Sequence, residues 1–178
     1  MKLFLESKRK KTETLQRAYP GAHIIDLTSK APLPWQKFSP FFPHGEIPVP
    51  LSDNVFAQSV EGIWQGLKVF EHEGIDVRRF DVTTMKGLKR TVRTYGRVLG
   101  HQHGVTGTTL LPYVAARKAI YLPAYTWVLT HKLAEECARL LAMATTAPLV
   151  FLDFETNPDV EDPRKPLSHA SQIGRAHV

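Results

Sequence analysis

A chain of 178 residues, 43% hydrophobic and 22% charged, fits one domain and can bury a core without disulfides or metal. Its one cysteine, Cys137, excludes an internal bridge, and no stretch approaches the ~18 apolar residues of a membrane span. The formal charge of +6, from 23 Lys and Arg against 17 Asp and Glu, favours anionic partners such as nucleotides or nucleic acid, although simple solubility gives the same balance. Met1–Leu5, followed by Lys8-Arg9-Lys10-Lys11, does not read as a signal peptide, so a cytoplasmic protein with no membrane partner is expected.

In chain order, Lys2–Leu5 is predicted as a short edge strand and Ser7–Tyr19 as a polar helix with Glu13 and Arg17 paired at i, i+4. After the turn Tyr19-Pro20-Gly21-Ala22, the β-branched run His23–Thr28 reads as a strand. Six of the thirteen prolines then fall between Pro32 and Pro50, interleaved with Trp35, Phe38, Phe41 and Phe42. Such a stretch suits an ordered loop packed on the domain, as a binding wall or as satellite core.

The stretch Ser59–Phe70 is predicted as a helix with Ser59 as N-cap. Helical spacing puts Glu61, Trp64, Gln65 and Lys68 on one face and Ile63, Leu67 and Phe70 on the other. Glu61 and Lys68 would then stand about 10 Å apart along one wall, at 1.5 Å per residue. Gly62 and Gly66 leave bare backbone between the polar residues, where another group can approach closely. A cleft-lining helix fits this pattern, and so does a first-turn acid beside a core tryptophan and a solvated lysine.

Further on, Lys86, Lys89, Arg90, Arg93 and Arg97 would form one basic stripe if helical, for phosphates or for solvent. His101-Gln102-His103 reads as a loop rather than a metal pair, because no further Cys, His or carboxylate stands at ligand spacing. The longest predicted helix is Pro123–Thr145, with Leu129, Leu133, Cys137, Leu140 and Ala144 as its apolar stripe. Pro148–Asp153 reads as a buried strand, and Glu155–Asp159 as a polar loop at its end. The last six residues, Ile173–Val178, coincide with the peptide that one frame of a common sequencing adapter encodes. We therefore expect one domain over residues 1–172 and a non-native tail over 173–178, with charge +5 once Arg175 is set aside.

Phe38-Ser39-Pro40-Phe41-Phe42-Pro43, then Ser59-Val60-Glu61, Gln65 and Lys68, together resemble the NADAR family, whose members include YbiA-like proteins. In that family an aromatic loop precedes a Ser-x-Glu helix carrying Gln and Lys at this spacing; Pro40 stands where it often has Asn, and Gly62 where it often has His. The resemblance implies a mostly helical α+β domain with a few short strands. It implies an N-glycosidase or ADP-ribosyl hydrolase acting on ADP-ribosyl-guanine or a riboflavin intermediate, with Glu61 and Lys68 catalytic. Phe38, Ser39, Phe41, Phe42, Trp64, Gln65, Asn157 and Asp159 would bind substrate, with no cofactor or metal. The partner would be a nucleotide-like small molecule or an ADP-ribosylated nucleic acid. Two alternatives are a non-catalytic ADP-ribose or nucleotide-binding module and a basic nucleic-acid-binding protein using Lys86–Arg97.

Overall fold

The computed structural model describes the backbone of residues 2–177 and side chains through residue 174. The elements run β1 (Leu3–Ser7), α1 (Thr12–Ala18), β2 (His23–Asp26), a 3-10 turn (Trp35–Phe38), β3 (Ile47–Pro48), β4 (Phe56–Ala57), α2 (Val60–Gly66) and β5 (Lys68–Phe70). A second 3-10 turn (Val77–Asp81), α3 (Val92–Tyr95), β6 (Val98–Gln102), β7 (Leu110–Leu111) and α4 (Tyr113–Ala116) follow. A π-helical turn (Arg117–Tyr121), α5 (Leu122–His131), α6 (Ala134–Thr146), β8 (Leu149–Asp153) and α7 (His169–His177) complete the α+β chain. No helix among the described residues is long and apolar enough to cross a membrane.

The chain divides into two compact units, one of residues 1–39 with 129–178 and one of residues 40–128. In the first, β8 lies between β1 and β2 in a parallel sheet, with Leu149 in register with both Leu3 and His23. A central parallel strand is covered on both faces, which is why Leu149-Val150-Phe151-Leu152 is uniformly apolar and buried. Leu15 of α1 packs on Val150 and Leu152, with Phe4, Tyr19 and Ile24 around them. Of the tail singled out above, Ile173 is buried in this unit, while Val178 and the side chains of residues 175–177 lie outside the described residues.

The second unit holds the antiparallel pairs β3–β4 and β5–β6–β7. Ser59 caps α2 as its sequence predicts, its Oγ accepting from the Gly62 N–H at 3.0 Å. The helix stops at Gly66, however, and Lys68–Phe70 is a strand. Val69 and Phe70 suit a pleated backbone, and β6 supplies partners: the Gln102 N–H donates to the Leu67 carbonyl at 2.9 Å, and Lys68 stands opposite His101. The predicted two-turn wall is therefore one helix followed by one strand.

The two glycines of α2 do admit a close neighbour, but it is the chain's own Val77–Asp81 turn. A Cβ at Gly62 would come within 2.6 Å of the Arg79 carbonyl, and one at Gly66 would overlap the Phe80 ring.

Three further expectations change. Residues 86–97 form no continuous helix: Gly87 adopts φ 72°, only Val92–Tyr95 is helical, and Arg90 turns inward while Lys86, Lys89, Arg93 and Arg97 stay exposed. The basic stripe is thereby broken at its middle. His101 and Gln102 lie on β6 rather than in a loop. The long helix begins earlier, through α4 and the π turn, and breaks at Lys132-Leu133, where Leu133 takes φ −126° with its side chain fully buried. Leu129, Leu133, Cys137 and Leu140 nevertheless all point into the core.

Candidate functional site

The chemistry-bearing groups of the second unit gather around the C-terminal half of α2. Glu61 is 7% exposed, its N–H donates to the Pro40 carbonyl at 2.8 Å, and its Oε1 accepts from Gln65 Nε2 at 2.9 Å. Gln65 is held in turn: its Oε1 accepts from the Arg90 N–H at 3.1 Å, which leaves the amide nitrogen aimed at Glu61. Arg90 locks this arrangement by donating to the carbonyls of Gln65, Lys68 and Gly74 at 3.2, 2.7 and 2.7 Å. Its guanidinium also lies over the Phe70 and Tyr95 rings.

Burial pushes the Glu61 carboxyl above its ordinary range, against the Gln65 hydrogen bond and the charges of Lys68 and Lys89. Lys68 shifts the opposite way: burial lowers its amine, with Arg90 and Lys89 adding repulsion and Glu61 opposing. The two groups thus sense each other even though Lys68 is on a strand. Its Nζ lies 5.8 Å from the Trp64 ring centroid.

Trp64 forms a second, aromatic layer. His101, opposite Lys68 across β5 and β6, places its ring 3.7 Å from Trp64 between centroids, tilted by 32°. Cross-strand neighbours share one sheet face, so the register itself sets Lys68 beside His101. Tyr113, at the start of α4, and Tyr121, the last residue of the π turn, stand 5.9 and 5.8 Å from Trp64, and buried Arg117 lies 4.3 Å from the Tyr113 ring. Glu61, Gln65 and His101 are buried, while Trp64, Lys68, Tyr113 and Tyr121 are half-buried. Solvent reaches the cluster from the latter side.

Of the residues singled out from sequence, the structure brings Glu61, Trp64, Gln65 and Lys68 together. Phe41 joins through Lys89, whose Nζ lies 5.6 Å from its ring and whose charge acts on Glu61. Phe42 packs against His44 at 4.9 Å. Phe38 and Ser39 belong to the first unit, where Phe38 is fully buried near Trp35 and the Ser39 N–H donates to the Gln36 carbonyl. Asn157 and Asp159 also lie there. Asn157 Nδ2 donates to the Asp162 and Lys165 carbonyls and its Oδ1 accepts from the Asp159 N–H, so its side chain shapes its own loop. Sequence spacing missed His101, Arg90, Tyr113 and Tyr121. The apolar pair Val98-Leu99 before His101 was the one local sign of a strand there.

No group of three His, Cys, Asp or Glu residues among the described residues is arranged to hold a metal ion. The first unit has its own buried polar cluster. Asp153, at the end of β8, accepts from Ser168 Oγ at 2.7 Å and pairs with His169 Nδ1 at 3.0 Å, and His169 Nε2 donates to the Leu27 carbonyl at 2.8 Å. With both ring nitrogens facing acceptors, this histidine has no atom left for a substrate.

The α+β chain matches the sequence model of DUF6939, a family of unknown function, over residues 7–173 and so across both units. It belongs to that family. This overturns the NADAR resemblance: the short patterns at Phe38–Pro43 and Ser59–Lys68 are shared local spacing, whereas the family match spans nearly the whole chain. No curated protein and no solved structure matches it.

Proposed function

We propose that the second unit is a hydrolase site for the N-glycosidic bond of a nucleotide-like substrate, with Glu61 as its acid-base group. The observation that supports this most directly is the Glu61 carboxyl. It is buried, held by an amide that is itself locked by Arg90, and raised toward the protonated form. A carboxyl whose burial favours its protonated form can give its proton to the departing base nitrogen as the bond to the anomeric carbon breaks. The resulting carboxylate takes a proton from the attacking water, whose oxygen adds to that carbon. Proton and electron pair are thereby returned and the acid is regenerated.

Lys68 and Lys89 bring positive charge to the cluster, which suits a phosphate-bearing ligand. Trp64, Tyr113 and Tyr121 supply aromatic surface. The near-complete burial of Glu61 favours a second reading, a binding module in which the acid only braces the helix. Base release from nucleosides, nucleoside 5′-phosphates, NAD and ADP-ribose, followed by chromatography, separates the two. The expected result is release by the wild type and a roughly 10²-fold or larger loss of turnover in Glu61→Gln with folding intact. An active Glu61→Gln enzyme, or binding without release across the whole panel, would overturn the hydrolase.

A further inference from the structure

Among the described residues, the buried side-chain nitrogen and oxygen atoms without a hydrogen-bond partner are Arg90 Nε and both ring nitrogens of His101. For Arg90 the reason is plain, since its other nitrogens make three hydrogen bonds and its plane lies over two rings. His101 has no such compensation. It is 0% exposed, its ring lies against Trp64, and although the Trp64 backbone comes near enough to act on it, no partner meets hydrogen-bond geometry. Buried polar groups are almost always paired, and those left open in a folded protein concentrate where a ligand or ordered water completes them. The open nitrogens sit in the same cluster as Glu61 and Lys68, not in a separate part of the core.

The kind of partner follows from charge. Lys68, opposite His101 across the strands, repels a cation there and would itself capture an anion. Burial, with the Lys68 charge added, holds the imidazole at a pKa of about 3, so it is neutral and offers one N–H donor and one bare acceptor. The neutral group that suits either nitrogen, accepting from the N–H or donating to the bare one, is a hydroxyl, and it meets one of the two.

We infer that His101 is a substrate-binding residue of this site and hydrogen-bonds a ribose hydroxyl of a nucleotide. The inference rests on the site assignment above but not on catalysis. Its test is a cycle of two ligands and two proteins: GMP and 2′,3′-dideoxy-GMP, each titrated against wild type and His101→Phe. The expected result is that His101→Phe melts no lower than wild type, because an apolar ring replaces two unpaired nitrogens. It should weaken GMP at least tenfold, leave the dideoxy nucleotide unchanged, and GMP should move the His101 imidazole ¹⁵N resonances of the wild type.

Equal weakening of both nucleotides, or ¹⁵N resonances of wild type unmoved by GMP at millimolar concentration, would overturn it. The ¹⁵N measurement needs no variant, so a misfolded His101→Phe does not spare the inference. A closed cycle without base release would remove the hydrolase alone. Base release with no preference for the hydroxyls would remove His101 alone.

Discussion

The two buried histidines, His169 of the first unit and His101 of the second, are opposites. Both are withdrawn from water, which by itself disfavours the charged ring. At His169 burial is outweighed by the Asp153 carboxylate and its hydrogen bond, with the Leu27 carbonyl on the other nitrogen, and the pKa rises. At His101 nothing opposes burial effectively and Lys68 reinforces it, so the pKa drops to about 3. Burial therefore does not say what a histidine does. Its partners do, and here a complete set of partners marks a strut while an incomplete set marks a candidate binding position.

The contrast breaks most visibly if the strut proves dispensable. Asp153→Ala leaves the buried His169 ring and the Ser168 hydroxyl without their acceptor, and should lower stability by about 3–5 kcal/mol in urea titrations. A change of ~0.5 kcal/mol, the size of a surface substitution, would show that the network holds nothing together.

Titration sharpens the contrast, because the two rings pull in opposite directions. His169, raised in the folded protein, contributes stability that is fully present below pH ~6.5 and is lost as the pH rises through its folded pKa. His101 is depressed, so the unfolded chain binds the extra proton between pH ~6.5 and 3, and stability falls on acidification through that window. At about 1.4 kcal/mol per pKa unit the acid-side loss amounts to a few kcal/mol by pH 3. Stability curves of His101→Phe should lack that component. If they retain it in full, the acid loss belongs to carboxylates such as Asp153 and Asp26, whose folded pKa values are lowered.

The smallest effect is local. Ser59→Ala removes the α2 cap and should lower stability by about 1 kcal/mol while leaving the His169 titration untouched. Loss of the Asp153–His169 pairing in that variant, seen as a shifted His169 titration, would contradict the separate roles assigned to the two clusters.

What could be read in the sequence was what local chemistry decides. Ser59 announces its cap, Leu149–Leu152 its buried strand, and the heptad-like leucines their core face. The end of α2 was not legible, because Lys68-Val69-Phe70 leaves the helix only when β6, some thirty residues on, offers hydrogen bonds. That pairing also delivers His101 to Lys68, so the site residue with the most unusual surroundings carries almost no local signature. Arg90 misled for a related reason: in sequence it completes a basic stripe, and in the fold three carbonyls draw it inside.

The π turn at Arg117–Tyr121 acts as a phase adjuster. Residues eight apart on a regular α-helix are out of phase by roughly 80°, so Tyr113 and Tyr121 on an uninterrupted helix would face different ways. A π turn closes one residue later than an α turn, absorbing about one residue's rotation of ~100°, and the two rings come round to flank the same indole. Removing one residue from this turn, Ala119 for instance, would leave the two tyrosines seven apart on a regular helix, about 20° short of two full turns, and so still in phase. Regularising the turn with every residue kept would instead part the rings by about 80°, so the spacing of this aromatic layer is written in the count of residues as much as in their identity.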